Sequence, residues 1–274
     1  MVEISIITPV FNGLAYIEAC LKNVIGQKCP EIEHLIMDGA STDGTVELVQ
    51  KWAAEYPHIR LVSEKDAGQS DAMNKGIGLS RGPIIGFLNV DDYYEPQVLN
   101  RVAELFRTLP EPSFVCGNLN IWNPDGSFRH FNRPNRLSLP ELVSNRFEWP
   151  YNPTCYFYHK SIHQKTGLYN TENHFCMDYE FILSAARHVD LQYIDEVWGN
   201  FCVVESSKTF NSHTHALETA RETGRNLREA AEKMLRPEEQ KILEKLRKEI
   251  APLFPAAEKP QKQTLRQRVK NWFR

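Results

Sequence analysis

Residues 83–92 of the chain are Pro-Ile-Ile-Gly-Phe-Leu-Asn-Val-Asp-Asp, an apolar run that ends in two adjacent carboxylates. The apolar residues are continuous rather than alternating, which predicts a strand buried on both faces of a parallel sheet. Ligands bind beyond the carboxyl ends of such strands, so Asp91 and Asp92 are expected at the edge of a binding crevice. Taken alone, the pair is equally typical of acids that cap a following helix.

Three strand–helix units precede this stretch. Apolar runs predict strands at residues 4–10, 33–37, 59–63 and 84–88, and apolar residues at helical spacing or glycine-containing turns predict a helix after each of the first three. Right-handed crossovers between parallel strands then predict a Rossmann-like α/β sheet with helices on both faces.

After residue 92 the pattern becomes mixed. The sequence predicts helices at 98–109, 137–148 and 177–188, strands at 113–122, 154–158 and 191–204, and a hairpin turn at 124–126. Residues 214–250 are rich in Ala, Glu, Leu, Arg and Lys, which predicts long helix, with Pro237 at the start of a second one.

Composition is that of an ordinary globular protein, with 42% hydrophobic and 24% charged residues among 274. The six cysteines form no C-x-x-C pair, and no apolar stretch approaches the roughly 20 residues of a membrane span. The chain also starts without a signal-like segment. These features predict a cytoplasmic protein with reduced thiols.

Charge is distributed unevenly along the chain. Residues 221–274 hold 15 Lys and Arg against 8 Asp and Glu, a net +7, whereas residues 1–220 hold 17 against 27, a net −10. The acidic body argues against a nucleic-acid partner. Trp272 and Phe273 stand among basic residues in the segment 260–274, which suits peripheral contact with the inner face of a membrane. A solvated helical or disordered tail is the alternative.

Further acids fall at the predicted ends of neighbouring strands. Asp38 follows the second strand and Asp66 lies just beyond the third, so both are expected to converge with Asp91 and Asp92. Four crowded carboxylates repel one another unless a positive or hydrogen-bond-donating group lies among them. A divalent cation together with the hydroxyl and N–H groups of a nucleotide would satisfy them.

Four segments of the chain resemble the motifs of family 2 glycosyltransferases of the GT-A fold in order and spacing. They are Ser-Ile-Ile-Thr-Pro-Val-Phe-Asn at 5–12, Asp-Gly-Ala-Ser-Thr-Asp-Gly-Thr at 38–45, Glu-Lys-Asp-Ala-Gly-Gln-Ser-Asp-Ala-Met-Asn-Lys-Gly at 64–76 and Leu-Asn-Val-Asp-Asp at 88–92. The resemblance is specific to about residue 100 and looser to about 210.

The resemblance implies an α/β fold of GT-A type, a Rossmann-like mixed sheet with helices on both faces, plus a C-terminal helical extension. It implies a glycosyltransferase domain at 1–212, made of a nucleotide-sugar half (1–100) and an acceptor half (101–212). A helical extension at 213–252 and a linker with a basic amphipathic tail at 253–274 would follow.

The resemblance also implies an activity. The expected reaction is inverting transfer of a hexosyl or N-acetylhexosaminyl group from a nucleotide sugar, with UDP as the expected nucleotide. The expected acceptor is a hydroxyl of a glycan or lipid-linked saccharide in cell-surface polysaccharide synthesis. A divalent metal, Mn²⁺ or Mg²⁺, is the expected cofactor.

Site roles can be transferred from the family motifs to matching positions. The implied donor-binding residues are Thr8, Pro9, Phe11, Asp38, Asp66, Gly68, Asp91 and Lys208, and the implied metal ligands are Asp92 and Asp91. The sequence departs from a strict D-x-D motif because Asn89 and Val90 precede the acid pair, although the family also contains this Asn-x-Asp-Asp form.

A single displacement needs one base to accept the proton of the attacking hydroxyl. Asp178 matches the family's acidic motif beside the acceptor and is the expected base, with Glu180 as the rival and a simple helix N-terminal acid as the alternative. His213 and His215 are weaker metal-ligand candidates. The aromatic residues Trp149, Tyr151, Tyr156 and Tyr158 would form either a sugar-stacking platform or part of the core.

Two other functions fit parts of the same pattern. An inactive nucleotide-sugar binding module on this fold would lack turnover despite the acids. A nucleotidyltransferase would need a glycine-rich basic loop after the first strand, and residues 8–13 contain no basic residue.

Overall fold

The computed structural model describes residues 2–204 and 214–250. Its N-terminal part alternates strands and helices as the sequence predicts. The elements are β1 (Ile4–Val10), α1 (Leu14–Gly26), β2 (Ile32–Asp38), α2 (Thr45–Glu55), β3 (Ile59–Ser63), α3 (Gln69–Leu79) and β4 (Ile84–Phe87). Every residue of β4 is buried, which confirms the strand predicted from the apolar run.

These four strands are parallel and lie side by side in the order β3, β2, β1, β4. Neighbouring β2 residues point to opposite faces. Ile36 packs with Ile17 of α1 and Val49 of α2, whereas Leu35 packs with Met73 of α3. Helices therefore cover both faces, as predicted.

The remaining elements of the sheet follow in a mixed order. They are β5 (Tyr93–Tyr94), α4 (Val98–Phe106), β6 (Phe114–Trp122), β7 (Phe128–Asn132), α5 (Leu139–Ser144), β8 (Tyr156–His159), α6 (His163–Thr166), α7 (Met177–Ala186) and β9 (Leu191–Cys202). Helix α5 is shorter than the predicted 137–148. Ser138 and Glu141 form a capping box at its start, and Asn145 ends it in the left-handed conformation at φ 53°.

The nine strands found in the described residues belong to one sheet. Strand β8 is antiparallel to both β4 and β6 and so joins the parallel part to the rest. Strand β9 runs parallel to β6 and antiparallel to β5, and β7 pairs with β6. The mixed α/β sheet predicted from the sequence is confirmed.

Two helices follow the sheet, α8 (Thr214–Glu232) and α9 (Pro237–Ile250), which confirms the predicted helical extension and its break at Pro237. They pack against α5 and α7, with Ala231 and Leu243 in the same apolar cluster as Leu142 and Phe181. Within the described ranges, no helix is both long enough and apolar enough to cross a membrane.

The junction of β4 with β8 requires a glycine. Gly86 pairs with Phe157, and a Cβ atom at Gly86 would lie 2.4 Å from Cε1 and 2.7 Å from Cδ1 of that ring. We expect Gly86→Ala to lower the free energy of unfolding by about 1–3 kcal/mol, because the ring or the strands must shift. Urea unfolding measures this change. Gly26→Ala is the matched control, since nothing lies within 4 Å of its Cβ position, and an equal loss in both variants would contradict the steric explanation.

A buried histidine makes the stability of the sheet sensitive to acid. Burial, and secondarily the nearby His58, lower the pKa of His34 to about 3, and its Nδ1 atom is buried with no partner in the described part of the chain. The unfolded chain therefore binds a proton below pH 6.5 that the folded chain does not, so stability falls as pH falls. We expect the titration of His34 to lower the free energy of unfolding by about 2 kcal/mol between pH 7 and pH 5.

Urea unfolding at the two pH values tests this expectation. His34→Gln should lose less stability than the unmodified chain between pH 7 and pH 5, because glutamine does not titrate. An identical pH dependence in the His34 variant would contradict the assignment.

Candidate active site

The carboxyl edge, meaning the C-terminal ends of β1 to β4 and the loops that follow them, gathers several of the predicted residues. Gly39 follows β2, and a Cβ atom there would lie 2.8 Å from Oδ2 of Asp66 and 3.4 Å from Cδ2 of Phe11. Asp38 is the adjacent residue and ends β2. The ring of Phe11 is 66% exposed. An exposed aromatic residue, one acid and a glycine backbone therefore meet at one point, and a second acid, Asp38, precedes that glycine in the chain.

Asp38 has one satisfied and one unsatisfied carboxylate oxygen. Its Oδ2 accepts hydrogen bonds from the Ser41 amide (3.0 Å) and the Ser63 hydroxyl (2.7 Å). Its Oδ1 is buried and accepts no hydrogen bond from the described part of the chain. A buried acceptor without a partner is costly, so this oxygen is suited to receive an N–H group from a ligand.

A hydrogen bond from its backbone amide joins Gly68 to the carboxylate of Asp66. The Gly68 amide donates to Oδ1 of Asp66 at 2.8 Å, just before α3 begins. Gly68 adopts φ 117° and ψ −178°, a conformation reserved almost entirely for glycine, although its Cβ position is open. Backbone conformation, rather than space, therefore requires glycine here.

Two residues of β1, Thr8 and Pro9, are predicted to bind the nucleotide-sugar donor. Thr8 is fully buried, and its hydroxyl contacts Nε2 of His34 at 2.9 Å and the thiol of Cys20 at 3.7 Å. Pro9 is partly buried and pairs with Met37. The structure therefore does not bring the Thr8 hydroxyl into the group around Gly39.

Asp92 is almost completely buried and receives three hydrogen bonds. The donors are Nδ2 of Asn89 (2.9 Å), Nδ2 of Asn152 (2.8 Å) and the Cys202 amide (2.9 Å). Burial, followed by the charge of Asp91, raises the pKa of Asp92 well above its usual range, and burial raises the pKa of Asp91. The interpretation of the pair as a cap of the next helix is wrong, because the N-cap residue of α4 is Gln97.

The acid pair fits a divalent cation by its chemistry. No group of three His, Cys, Asp or Glu side chains forms a ready metal site in residues 2–204 and 214–250. However, Mg²⁺ characteristically takes one or two protein carboxylates and completes its shell with water and substrate phosphates. Two adjacent carboxylates whose pKa values are raised by burial provide such a partial, oxygen-only ligand set.

Asp178 lies in the first turn of α7, beside the parallel part of the sheet. The Ser70 hydroxyl at the start of α3 donates to the sulfur of Met177 at 2.7 Å, which joins the starts of α3 and α7. The hydroxyl of Tyr156 donates to Oδ1 of Asp178 at 2.8 Å. Helices α3 and α7 thus bring this acid towards the carboxyl edge although 86 residues separate it from Asp92.

The rival acid is held differently. Asn173 donates to Glu180 through Nδ2 at 2.7 Å, and Asn170 donates to it at 3.3 Å. Both asparagines belong to the loop that precedes α7, and Oδ1 of Asn173 also accepts the Cys176 amide. Glu180 is therefore engaged in fixing that loop.

The four aromatic residues predicted as a stacking platform or part of the core divide into two groups. Tyr156 and Tyr158 are completely buried and stack near Phe114, so they belong to the core. Trp149 and Tyr151 are partly buried and contact each other, with ring centroids 5.3 Å apart.

Sequence reasoning missed the amides of this site. Nε2 of Gln69 donates to Oδ1 of Asn89 at 3.1 Å, and Asn89 and Asn152 both donate to Asp92. Asn89 was marked by its place in the motif. Asn152 carried no signal, because nothing in the sequence indicates which strand lies beside β4.

Several predicted residues lie outside the described residues. These are Lys208, His213 and the linker and tail beyond residue 250. His215 falls within α8, but its side chain is not described.

Comparison with known proteins supports the motif assignment. The model of the family described as Glycosyl transferase family 2 matches residues 5–172. The match includes the carboxyl edge and the acid pair but ends before Asp178.

Two relatives illustrate the extent of the similarity. Chondroitin synthase of Pasteurella multocida (strain Pm70) is 30% identical over 150 residues, which are 54% of this chain and 14% of the synthase. The PGL/p-HBAD biosynthesis glycosyltransferase of Mycobacterium tuberculosis (strain ATCC 25177 / H37Ra) is 30% identical over 183 residues, 65% of this chain and 67% of that protein. The chain spans only about a seventh to a fifth of the length of the synthases that it matches.

Solved structures of similar shape share its fold. The Staphylococcus aureus TarS fragment 1–349 in complex with UDP-GlcNAc has a TM-score of 0.66 at 16% identity, covering 97% of this chain and 77% of that one. The mannosyltransferase PcManGT of Pyrobaculum calidifontis, in complex with GDP-Man and Mn²⁺, has a TM-score of 0.57 at 16% identity and covers 92% and 81%. The chain belongs to glycosyltransferase family 2 and is a glycosyltransferase of the GT-A fold.

Proposed function

We propose that the protein transfers a sugar, with inversion, from a UDP-sugar to a hydroxyl of a glycan or lipid-linked saccharide. The unsatisfied Oδ1 of Asp38, the residue next to the Gly39 backbone that lies against the exposed Phe11, is the observation that carries this proposal. A buried carboxylate oxygen accepts a ring N–H, which uracil and guanine present and adenine and cytosine lack in their common forms. The family motifs and the UDP-GlcNAc complex of TarS support uracil, and TarS has the higher TM-score, 0.66 against 0.57 for PcManGT, which binds GDP-Man.

In this proposal the base lies against Phe11, with its ring N–H donated to Asp38. Asp66 lies beside the Gly39 backbone and is suited to accept from the base or ribose. Gly68 allows the start of α3 to approach the donor closely. Pro9 lines the base pocket through its backbone position at the end of β1, Thr8 supports that strand from below, and Lys208 contributes positive charge to the diphosphate.

The pair Asp91 and Asp92 would hold the divalent cation, Mn²⁺ or Mg²⁺. The cation supplies charge neutralisation on the departing nucleoside diphosphate. Asp91 is the more accessible of the two acids and also lies where ribose hydroxyls are expected. Oxygen ligands alone suit such a hard cation.

Asp178 acts as the base. As the acceptor hydroxyl attacks the anomeric carbon, its proton passes to the Asp178 carboxylate, the new glycosidic C–O bond forms and the bond to the diphosphate oxygen breaks. The Tyr156 hydroxyl orients the carboxylate through its 2.8 Å hydrogen bond. The hydrogen bonds from Asn170 and Asn173 make Glu180 the poorer candidate.

The relatives indicate the product class. Chondroitin and hyaluronan synthases of Pasteurella multocida make polysaccharides, which supports a role in cell-surface polysaccharide synthesis. The transferred group would then be a hexosyl or N-acetylhexosaminyl unit. The basic segment 260–274 would keep the cytoplasmic enzyme at the inner face of the membrane, where lipid-linked acceptors reside.

Paired variants test the donor and base roles. A thermal-shift screen of nucleotide sugars with Mn²⁺ or Mg²⁺ first identifies the donor, because a ligand of the folded state raises its apparent stability. Asp38→Asn should then weaken UDP binding about 10- to 100-fold in calorimetry, since it disrupts a buried charged acceptor. Asp178→Asn should leave UDP binding within about 2-fold and reduce sugar transfer by at least about 100-fold.

Glu180→Gln is the matched control for the base and should retain transfer within about 10-fold, because its role is limited to the loop. Near-normal transfer by Asp178→Asn, with an inactive Glu180→Gln, would assign the base to Glu180 instead. Unchanged UDP binding by Asp38→Asn would contradict the proposed base pocket.

Removal of residues 260–274 tests the membrane contact. The full chain should co-sediment with vesicles containing anionic lipid and less so as salt is raised, because the attraction is electrostatic. The shortened chain should remain in the supernatant while retaining UDP binding. Equal sedimentation of both proteins would refute the contact.

A further inference from the structure

The hydrogen bonds of Asp92 come from three separate parts of the chain. Asn89 belongs to the same turn, Asn152 precedes β8 and is 60 residues away, and Cys202 ends β9 and is 110 residues away. Asn89 in turn accepts from Gln69 at the start of α3. We call Asn89, Asp92, Asn152 and Cys202 the Asp92 cluster.

The cluster leaves Asp92 little capacity for another ligand. A carboxylate offers about four lone-pair positions, and three of them are occupied by the donors of the cluster. The residue is only 3% exposed. Asp91 differs on both counts, since it is partly exposed and no described side chain donates a hydrogen bond to it.

From this contrast we propose that Asp92 is a positioning residue rather than the main metal ligand. It fixes the turn after β4 against Asn152 and the end of β9, and thereby aims the Asp91 carboxylate at the cation. This inference rests on the proposed function, because it divides the roles within the proposed metal pair.

The choice of aspartate follows from the number of acceptors needed. Three donors converge on the side chain, two on Oδ2 and one on Oδ1. Asparagine has the same shape but accepts at only one atom, so its amide group would face a donor whichever way it turned. A carboxylate accepts at both atoms, which explains aspartate here without metal ligation.

Substitution of the partner Asn152 separates the two roles, because Asn152 is an amide donor and ligates nothing in the proposed site. Asn152→Ser removes the donor to Asp92 but retains an oxygen that can cap the turn at Thr154, the other partner of this side chain. Calorimetry of Mn²⁺ binding in the presence of UDP compares Asp91→Asn, Asp92→Asn, Asn152→Ser and the double variant Asp92→Asn with Asn152→Ser.

Asp91→Asn should lose more than about 100-fold in Mn²⁺ affinity. Asp92→Asn and Asn152→Ser should each lose about 10-fold, as substitutions behind a metal ligand commonly do. The double variant should be no worse than the single ones, because the two residues act through one interaction. The matched control Thr154→Val disturbs the same turn but leaves the Asn152 amide on Asp92, and should bind Mn²⁺ normally.

A metal-free measurement tests the cluster independently. Hydrogen–deuterium exchange at the Cys202 amide should accelerate about 10-fold in Asp92→Asn and stay unchanged in Asp91→Asn, since that amide donates to Asp92 and not to Asp91. Unchanged exchange in Asp92→Asn would overturn the inference. Loss of Mn²⁺ binding in Asp92→Asn with full retention in Asn152→Ser would also overturn it. Normal Mn²⁺ binding by Asp91→Asn would instead overturn the metal site of the proposed function, while the exchange result continued to decide the role of Asp92.

Discussion

Carboxylates that are buried at the carboxyl edge, with no basic partner among residues 2–204 and 214–250, are the constraint on which this structure depends. Another carboxylate, Glu33, is buried at the opposite edge of the sheet, but its pKa is shifted in the opposite direction. Burial alone would raise the pKa of Glu33, but hydrogen bonds from Ser5, the Arg81 amide and Arg60 outweigh it and lower the pKa. The charge of Glu33 is therefore neutralised within the fold.

Asp91 and Asp92 have raised pKa values instead, so their ionised forms lower the stability of the fold above those pKa values. This loss of stability disappears as pH falls towards 3.8, the ordinary pKa of aspartate. This loss of stability arises at the place where a bound ligand can supply the missing positive charge.

The long-range contacts of the sheet bring the two halves of the chain to that edge. Strand β8 pairs with β4 through the close approach of Gly86 and Phe157. Just before β8, Asn152 reaches Asp92, and the contact of Met177 with Ser70 brings α7 to α3. Under the proposed function, the donor and acceptor sites are therefore adjacent, because one sheet runs through both halves of the chain.

The sequence predicted those features that depend on local pattern. Apolar runs and turn residues located β1 to β4, and the geometry of parallel strands predicted that Asp38 and Asp66 would converge, whereas only the family motif assigned Phe11 to the same site. Elements of two and four residues, β5 and α6, are too short to produce a periodic pattern. The hydrogen bonds from Asn152 and Cys202 to Asp92 depend on where β8 and β9 lie in the order of the sheet. Hydrophobic periodicity along the sequence does not predict that order. The buried position of Thr8 follows from side-chain alternation along β1, because the motif marks the residue but not the face it occupies.

Under the proposed function, the unsatisfied acids couple cation and nucleotide binding. The acid pair, with Asp91 as the main ligand and Asp92 behind it, would provide only part of a coordination shell, and phosphate oxygens of the donor would provide more, so each ligand completes the site of the other. A cation at the pair also removes the repulsion that an approaching diphosphate would meet from the ionised acids. Because coupling free energy is reciprocal, the nucleotide must raise the affinity for the cation by the same factor as the cation raises that for the nucleotide.

Asp38 does not take part in this coupling. Hydrogen bonds from Ser41 and Ser63, rather than the charge of another acid, orient its carboxylate and its unpaired oxygen. Base recognition at Asp38 can therefore precede the cation, whereas diphosphate binding depends on it.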